Sequence, residues 1–264
     1  MLFEIVLSSI FVLIFLLLFF YVFQEKFIFR NGKKLKRNHP FNFTTNFEEV
    51  FLKTNDQKEI NAIHLKLPAP KGVILFFHGN KGNLEKWGKR TSNFLSYNYE
   101  VFIIDYRNYG KSTGSFNEEK MYEDALLAYD HLKNKYSENK IVVYGFSLGC
   151  TFAIKVASEK NPKELILEAP FFNLKKATQK FMAFAPTFLL KFLFRSDLDI
   201  PLVKSPITIF HGNQDNTTSF KASQELLSLN PATKNKFVAI DGGTHHNINS
   251  FSIYKQKLKE LLER

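Results

Sequence analysis

A single cysteine, Cys150, stands in a chain of 264 residues. It has no partner, which excludes an intrachain disulfide framework and a cysteine-cluster metal site. Its expected role is a small apolar packing residue. No His-x-x-x-His pair occurs and no carboxylate cluster forms a cation site, so no metal is expected. A Walker loop and a dinucleotide fingerprint are also missing, so no cofactor is implied. Acidic side chains are in short supply, 25 against 36 basic ones, for a formal charge of +11. That excess carries no recognisable nucleic-acid motif. Residues 1–40 hold Lys26, Arg30, Lys33, Lys34, Lys36 and Arg37 against Glu4 and Glu25. The excess therefore reads as a membrane-proximal patch plus a lysine-rich solvated surface, with no nucleic-acid partner.

Apolar residues are plentiful, 45% of the chain with 30 phenylalanines. Ile5 to Phe23 is broken only by Ser8 and Ser9. About 19 residues make roughly 28 Å of helix, enough to cross a hydrocarbon core. A cleavable signal peptide is the competing reading. No lysine or arginine leads the run, however, and no small-x-small site follows it. The basic flank Lys26 to Arg37 orients such a span with the body of the protein on the cytoplasmic side. The expected organisation is an anchor over 1–25, a basic linker over 26–45 and one folded domain over 46–264.

Within that domain strands and helices alternate. Phe47–Thr54 and Glu59–Leu67 read as an antiparallel hairpin turning at Asn55-Asp56, and Gly72–Phe77 as a central parallel strand. Further strands are expected at Glu100–Asp105, Ile141–Tyr144, Glu164–Glu168, Pro206–Phe210 and Lys236–Ile240. Helices are expected at Leu84–Ser96, Glu118–Lys135, Thr151–Ser158, Ser219–Leu229 and Ser250–Leu262. The pattern implies an α/β fold, a mostly parallel sheet covered on both faces. Residues 171–200 interrupt it as one or two short helices broken near Pro186. They are rich in Phe and Leu, and read either as helices packed on the core or as a small lid insertion in which Phe171, Phe172, Phe181 and Phe184 are candidates to wall an apolar pocket or dip into lipid.

The chemistry centres on Gly145-Phe146-Ser147-Leu148-Gly149, a G-x-S-x-G between a β-branched run and a helical one. In that context it is a nucleophile elbow, a tight turn that lifts the serine hydroxyl above the sheet edge. A serine hydroxyl needs a base within hydrogen-bond reach, itself oriented by a carboxylate. After the elbow come His211-Gly212-Asn213-Gln214-Asp215 and then Gly242-Gly243-Thr244-His245-His246. Asp215 is the expected acid, with Glu168 in reserve. His245 is the favoured base, with His246 as the alternative. The backbone N–H groups of Leu148 and Asn80 are candidates for the oxyanion hole, and Gly79 and Gly82 let the second loop approach. His78 precedes the serine and reads as a loop-packing residue. Ser112 reads as a turn residue.

Taken together the motifs resemble an α/β-hydrolase, and within it the membrane-anchored, serine-aminopeptidase-like (Bem46-like) branch. The resemblance rests on His78–Asn83, on Asp105 through Gly114, on Gly145–Gly149, on His211–Asp215 and on Gly243–His245, in that order across residues 72–250. Asn108 departs from the pattern by replacing a usual glycine, and His245-His246 is doubled. The resemblance implies a serine hydrolase, and the Phe/Leu-rich segment 171–200 together with the anchor points to a small-molecule or lipid-like substrate, an ester or thioester of an apolar acyl group. Such families include esterases, lipases, thioesterases and peptidases, so the bond cleaved is not fixed by it.

Overall fold

A computed structural model of the chain describes residues 1–181, 186–232 and 234–263. Helix α1 spans Leu2–Ile28. Most of its apolar side chains from Phe3 to Val22 are exposed, and from Phe3 to Ile28 it is long and apolar enough to cross a membrane. In water such a surface would far exceed the apolar patches that soluble monomers tolerate.

Strands β1 (Phe47–Lys53) and β2 (Glu59–Leu65) form the antiparallel hairpin expected from the Asn55-Asp56 turn. Strand β3 (Gly72–Phe77) leads into helix α2 (Leu84–Thr91), which continues only as a 3₁₀ turn over Ser92–Tyr97. Strand β4 is Tyr99–Ile104, helix α3 Glu118–Lys133, strand β5 Ile141–Phe146 and helix α4 Gly149–Glu159. Strand β6 (Glu164–Glu168) is followed by α5 (Leu174–Phe181) and the short α6 (Ser196–Asp199). Strand β7 (Ile207–Gly212), helix α7 (Phe220–Ser228), strand β8 (Lys236–Ile240) and helix α8 (Ser252–Glu263) complete the chain.

The eight strands lie in the order β1-β2-β4-β3-β5-β6-β7-β8. Every pairing from β4 onward is parallel, and β2 alone runs antiparallel, to both of its neighbours β1 and β4. Alternation along each strand feeds two cores. Val73, Leu75 and Phe77 face α3 and α4 with Val143, Phe152 and Ile154. Ile74 and Phe76 face α2 and α8 with Tyr144, Trp87 and Leu258. Burial on both faces is why β3 and the first half of β5 read as unbroken apolar runs, whereas β7 carries the buried polar Thr208 and His211. A parallel sheet of this kind gathers its loops at the carboxyl ends of the strands, where ligands bind.

Residues 29–46 lie on the domain instead of hanging free. Phe29 is 3% exposed and stacks on Phe116 with centroids 4.1 Å apart. Arg30 bridges Lys81, and Leu35 N donates to Gly110 O. Where the resemblance anticipated a glycine, Asn108 has φ 64°. Asparagine is among the few residues that tolerate this left-handed conformation, so the turn survives the replacement.

Candidate active site

The elbow is built by close backbone packing. A Cβ on Gly149 would lie 1.9 Å from Phe77 O, and one on Gly145 would lie 2.6 Å from the Cα of Cys150. Between them Ser147 adopts φ 52°. A non-glycine residue in that region costs about 1–3 kcal/mol, which the surroundings must offset. Ser147 N donates to Glu168 O at 2.9 Å, and Cys150 N donates to Ser147 O at 3.0 Å. Cys150 packs behind the turn, its Sγ 3.2 Å from Gly145 O, and burial pushes its thiol well up. It is inert packing.

Two loops come to the serine from strands further along the sheet. The turn after β7 supplies Asp215, and the loop after β8 supplies His245. Ser147 Oγ lies 3.1 Å from His245 Nε2, and His245 Nδ1 lies 2.7 Å from Asp215 Oδ2. Asp215 Oδ1 accepts from the N–H groups of Thr217 (2.7 Å) and Thr218 (2.9 Å), and Oδ2 from Thr218 Oγ1 (2.8 Å). Burial pushes this carboxyl up. Donors from His211, His245 and the Thr218 backbone outweigh burial and hold it well below the usual carboxylate range. It is thus a fixed anion against the imidazole.

Of the two neighbouring histidines, the structure brings His245 to the serine. His246 is exposed over the Phe146 ring, centroids 6.1 Å apart. Burial and the neighbouring His245 lower its pKa. Glu168 is buried 3% exposed at the end of β6. It accepts from Tyr144 OH at 2.6 Å and Arg90 at 3.1 Å, and burial raises its pKa. It does not contact the imidazole by hydrogen bond. His78 is wholly buried, with Nδ1 2.6 Å from Gly79 O and Nε2 3.2 Å from Asp105 Oδ1. Ser112 donates to Asp105 O at 2.7 Å, inside its turn.

Neither Leu148 N nor Asn80 N donates to an acceptor among the described residues, whereas their loops are otherwise tied down. Phe171 is 8% exposed and belongs to the core, and Phe172 is half-buried under Lys176, whose Nζ is 4.5 Å from the ring. Phe181 closes α5; its side chain, like the whole of Phe184, lies outside the described residues. The sequence reading missed His211, whose Nε2 lies 3.2 Å from Asp215 Oδ2 while Nδ1 meets Ser223 Oγ at 2.7 Å. Its position four residues before the acid was the available signal. No group of three His, Cys, Asp or Glu suited to a metal occurs among the described residues.

Residues 68–200 match the family model described as "Serine aminopeptidase, S33". The chain belongs to this family. It is 33% identical over 227 residues to an uncharacterized protein of Acanthamoeba polyphaga mimivirus, covering 76% of each chain. It is 28% identical over 260 residues to the bem46 protein of Schizosaccharomyces pombe, covering 92% of this chain and 87% of that one. An esterase of Pyrococcus furiosus superposes with a TM-score of 0.70 at 22% identity, over 89% of this chain and 97% of its own. The fold is that of an α/β-hydrolase, preceded by one apolar helix, and the protein is a hydrolase.

Proposed function

We propose that this hydrolase cleaves carboxylic esters or thioesters of apolar acyl groups through an acyl-enzyme on Ser147, at a membrane held by α1. The observation that carries the reading is the unbroken relay from Ser147 Oγ through both ring nitrogens of His245 to a carboxylate kept anionic. His245 Nε2 takes the serine proton as Oγ attacks the carbonyl carbon. The resulting oxyanion is received by the N–H groups of Leu148 and Asn80. The imidazolium, steadied by Asp215, gives its proton to the departing alkoxide or thiolate. Water then repeats the sequence on the acyl-enzyme and frees the acid. The apolar acyl group is supported by the segment after β6, where Phe172 is half-buried and Phe188 and Leu193 are 80% and 45% exposed. The basic flank Lys26–Arg37 supports a single span with the domain on the cytoplasmic side.

The family description also names aminopeptidases, which must hold a substrate ammonium. Asp215 and Glu168, the carboxylates beside the relay, are both buried and engaged, which favours the ester reading. The test is kcat/KM across p-nitrophenyl esters and acyl thioesters of increasing chain length, alongside aminoacyl amides. A medium- or long-chain optimum is expected. A preference for acetyl contradicts the apolar substrate, and turnover of aminoacyl amides alone contradicts ester chemistry.

A further inference from the structure

We infer that Ile28–Leu35, the stretch joining the apolar helix to the body, positions the oxyanion hole. The inference rests on the reading of Asn80 N–H as an oxyanion donor and adds what holds that donor in place.

An oxyanion hole works because its donors are aimed before the reaction, so nothing reorganises as charge develops. The Asn80 N–H lies in the Gly79–Asn80 peptide plane, and the next plane, Asn80–Lys81, fixes the Cα at which that first plane ends. The first, Gly79–Asn80, is pinned from within the loop, with Gly79 O held 2.6 Å from His78 Nδ1. The second, Asn80–Lys81, is pinned from outside. Arg30 N donates to Asn80 O at 2.9 Å, and Tyr109 OH donates to the same oxygen at 2.8 Å. Gly82 N returns a bond to Arg30 O at 3.2 Å, closing a parallel bridge around Lys81. The side chain is fixed too, since Asn80 Nδ2 donates to Ile28 O at 2.9 Å.

Ile28 O is among the last carbonyls of α1, which the helix itself cannot satisfy. The end of the membrane-directed helix and the proposed oxyanion donor therefore complete each other's hydrogen bonding. The carbonyl and side chain of Asn80 are both committed to residues 28–30, while its N–H meets no acceptor among the described residues. Further bonds keep the stretch from sliding: Asn31 Nδ2 to Asn108 O at 2.6 Å and Leu35 N to Gly110 O at 3.0 Å. Phe29, between the two tethering residues, anchors it in the core. The Arg30 side chain is exposed, so this residue acts through its backbone.

That backbone role gives a clean test with the full chain in detergent micelles. Arg30→Pro deletes the one N–H that holds Asn80 O, and Arg30→Ala keeps it and serves as reference. Phe29, with φ −107° and ψ 103°, is already in the extended region and lies close to the range a following proline favours. Displacing a donor costs less than the 10²–10³-fold seen on removing one. Relative to Arg30→Ala, Arg30→Pro is expected to lower kcat for ester hydrolysis about tenfold or more. KM should stay within about twofold, and fluorophosphonate labelling of Ser147, in which Oγ bonds phosphorus and fluoride leaves, should slow in parallel. Should Arg30→Pro fail to fold, Asn80→Ala keeps the donor N–H, removes the tie to Ile28 and is expected to lower kcat in the same way. Equal kcat in the two Arg30 variants, or a loss confined to KM, overturns the inference while leaving the serine reading intact. Absence of Ser147 labelling in the parent chain overturns both.

Discussion

Asp215 shows most directly how single atoms decide the chemistry. Its Oδ1 is claimed by two backbone N–H groups and its Oδ2 faces His245 Nδ1. In Asp215→Asn the amide oxygen must keep the Thr217 and Thr218 donors, which turns the NH₂ toward His245. The ring nitrogen facing it then carries a lone pair, so the proton moves to Nε2, beside Ser147 Oγ. The base is lost although the shape is kept. Steady-state ester kinetics of Asp215→Asn should show kcat lower by about 10³–10⁴-fold with KM little changed. A kcat within tenfold of the parent would remove Asp215 from the relay.

At the scale of elements, the legible parts were those a repeating pattern writes along the chain. The apolar runs of β3 and the first half of β5 announced buried parallel strands, and Asn55-Asp56 announced the hairpin. The elbow was legible because its glycines are forced by contact: Gly149 passes too close to Phe77 O for a Cβ. Spacing behind the glycine pair favoured His245 but left His246 open, because adjacent residues in a loop point apart by turn geometry that the sequence does not spell out; the structure brings His245 Nε2 to Ser147 Oγ. Leu84–Ser96 read as one helix, yet the chain tightens to 3₁₀ after Thr91 and reaches Asn98 in the left-handed region, φ 62°. The docking of residues 29–35 was illegible for a different reason. Its bonds are made by backbone groups and by Asn31, Asn80 and Asn83 across 50 or more residues, and such contacts have no period.

The whole molecule carries a second network at the opposite end of the sheet, and it sets how stability responds to pH. His64 is fully buried, edge-on to Phe102, with Nε2 2.8 Å from Glu100 Oε2. Glu100 also accepts from Lys66, Leu67 N and Tyr136. Burial and the nearby Lys66 and Lys135 lower the His64 pKa to about 4, against the opposing pull of Glu100. The folded state therefore keeps this ring neutral where the unfolded chain would protonate it. Its contribution is complete above the unfolded value near 6.5 and is lost as pH falls from there through about 4. Asp215, held below its unfolded value, adds a further loss at still lower pH. A shift of this size corresponds to something on the order of 3 kcal/mol. Urea titrations in micelles at pH 7 and pH 4 should show a large acid loss in the parent chain and a smaller one in His64→Phe. Equal losses would mean that the ring is not kept neutral by the fold.

The central claim is that folding makes the hydroxyl of Ser147 nucleophilic, and covalent trapping with a fluorophosphonate, read by peptide mass spectrometry, tests it most directly. The account predicts one adduct on the peptide containing Ser147, absent from Ser147→Ala and formed far more slowly in His245→Ala. An adduct elsewhere, or undiminished ester hydrolysis by Ser147→Ala, would contradict it.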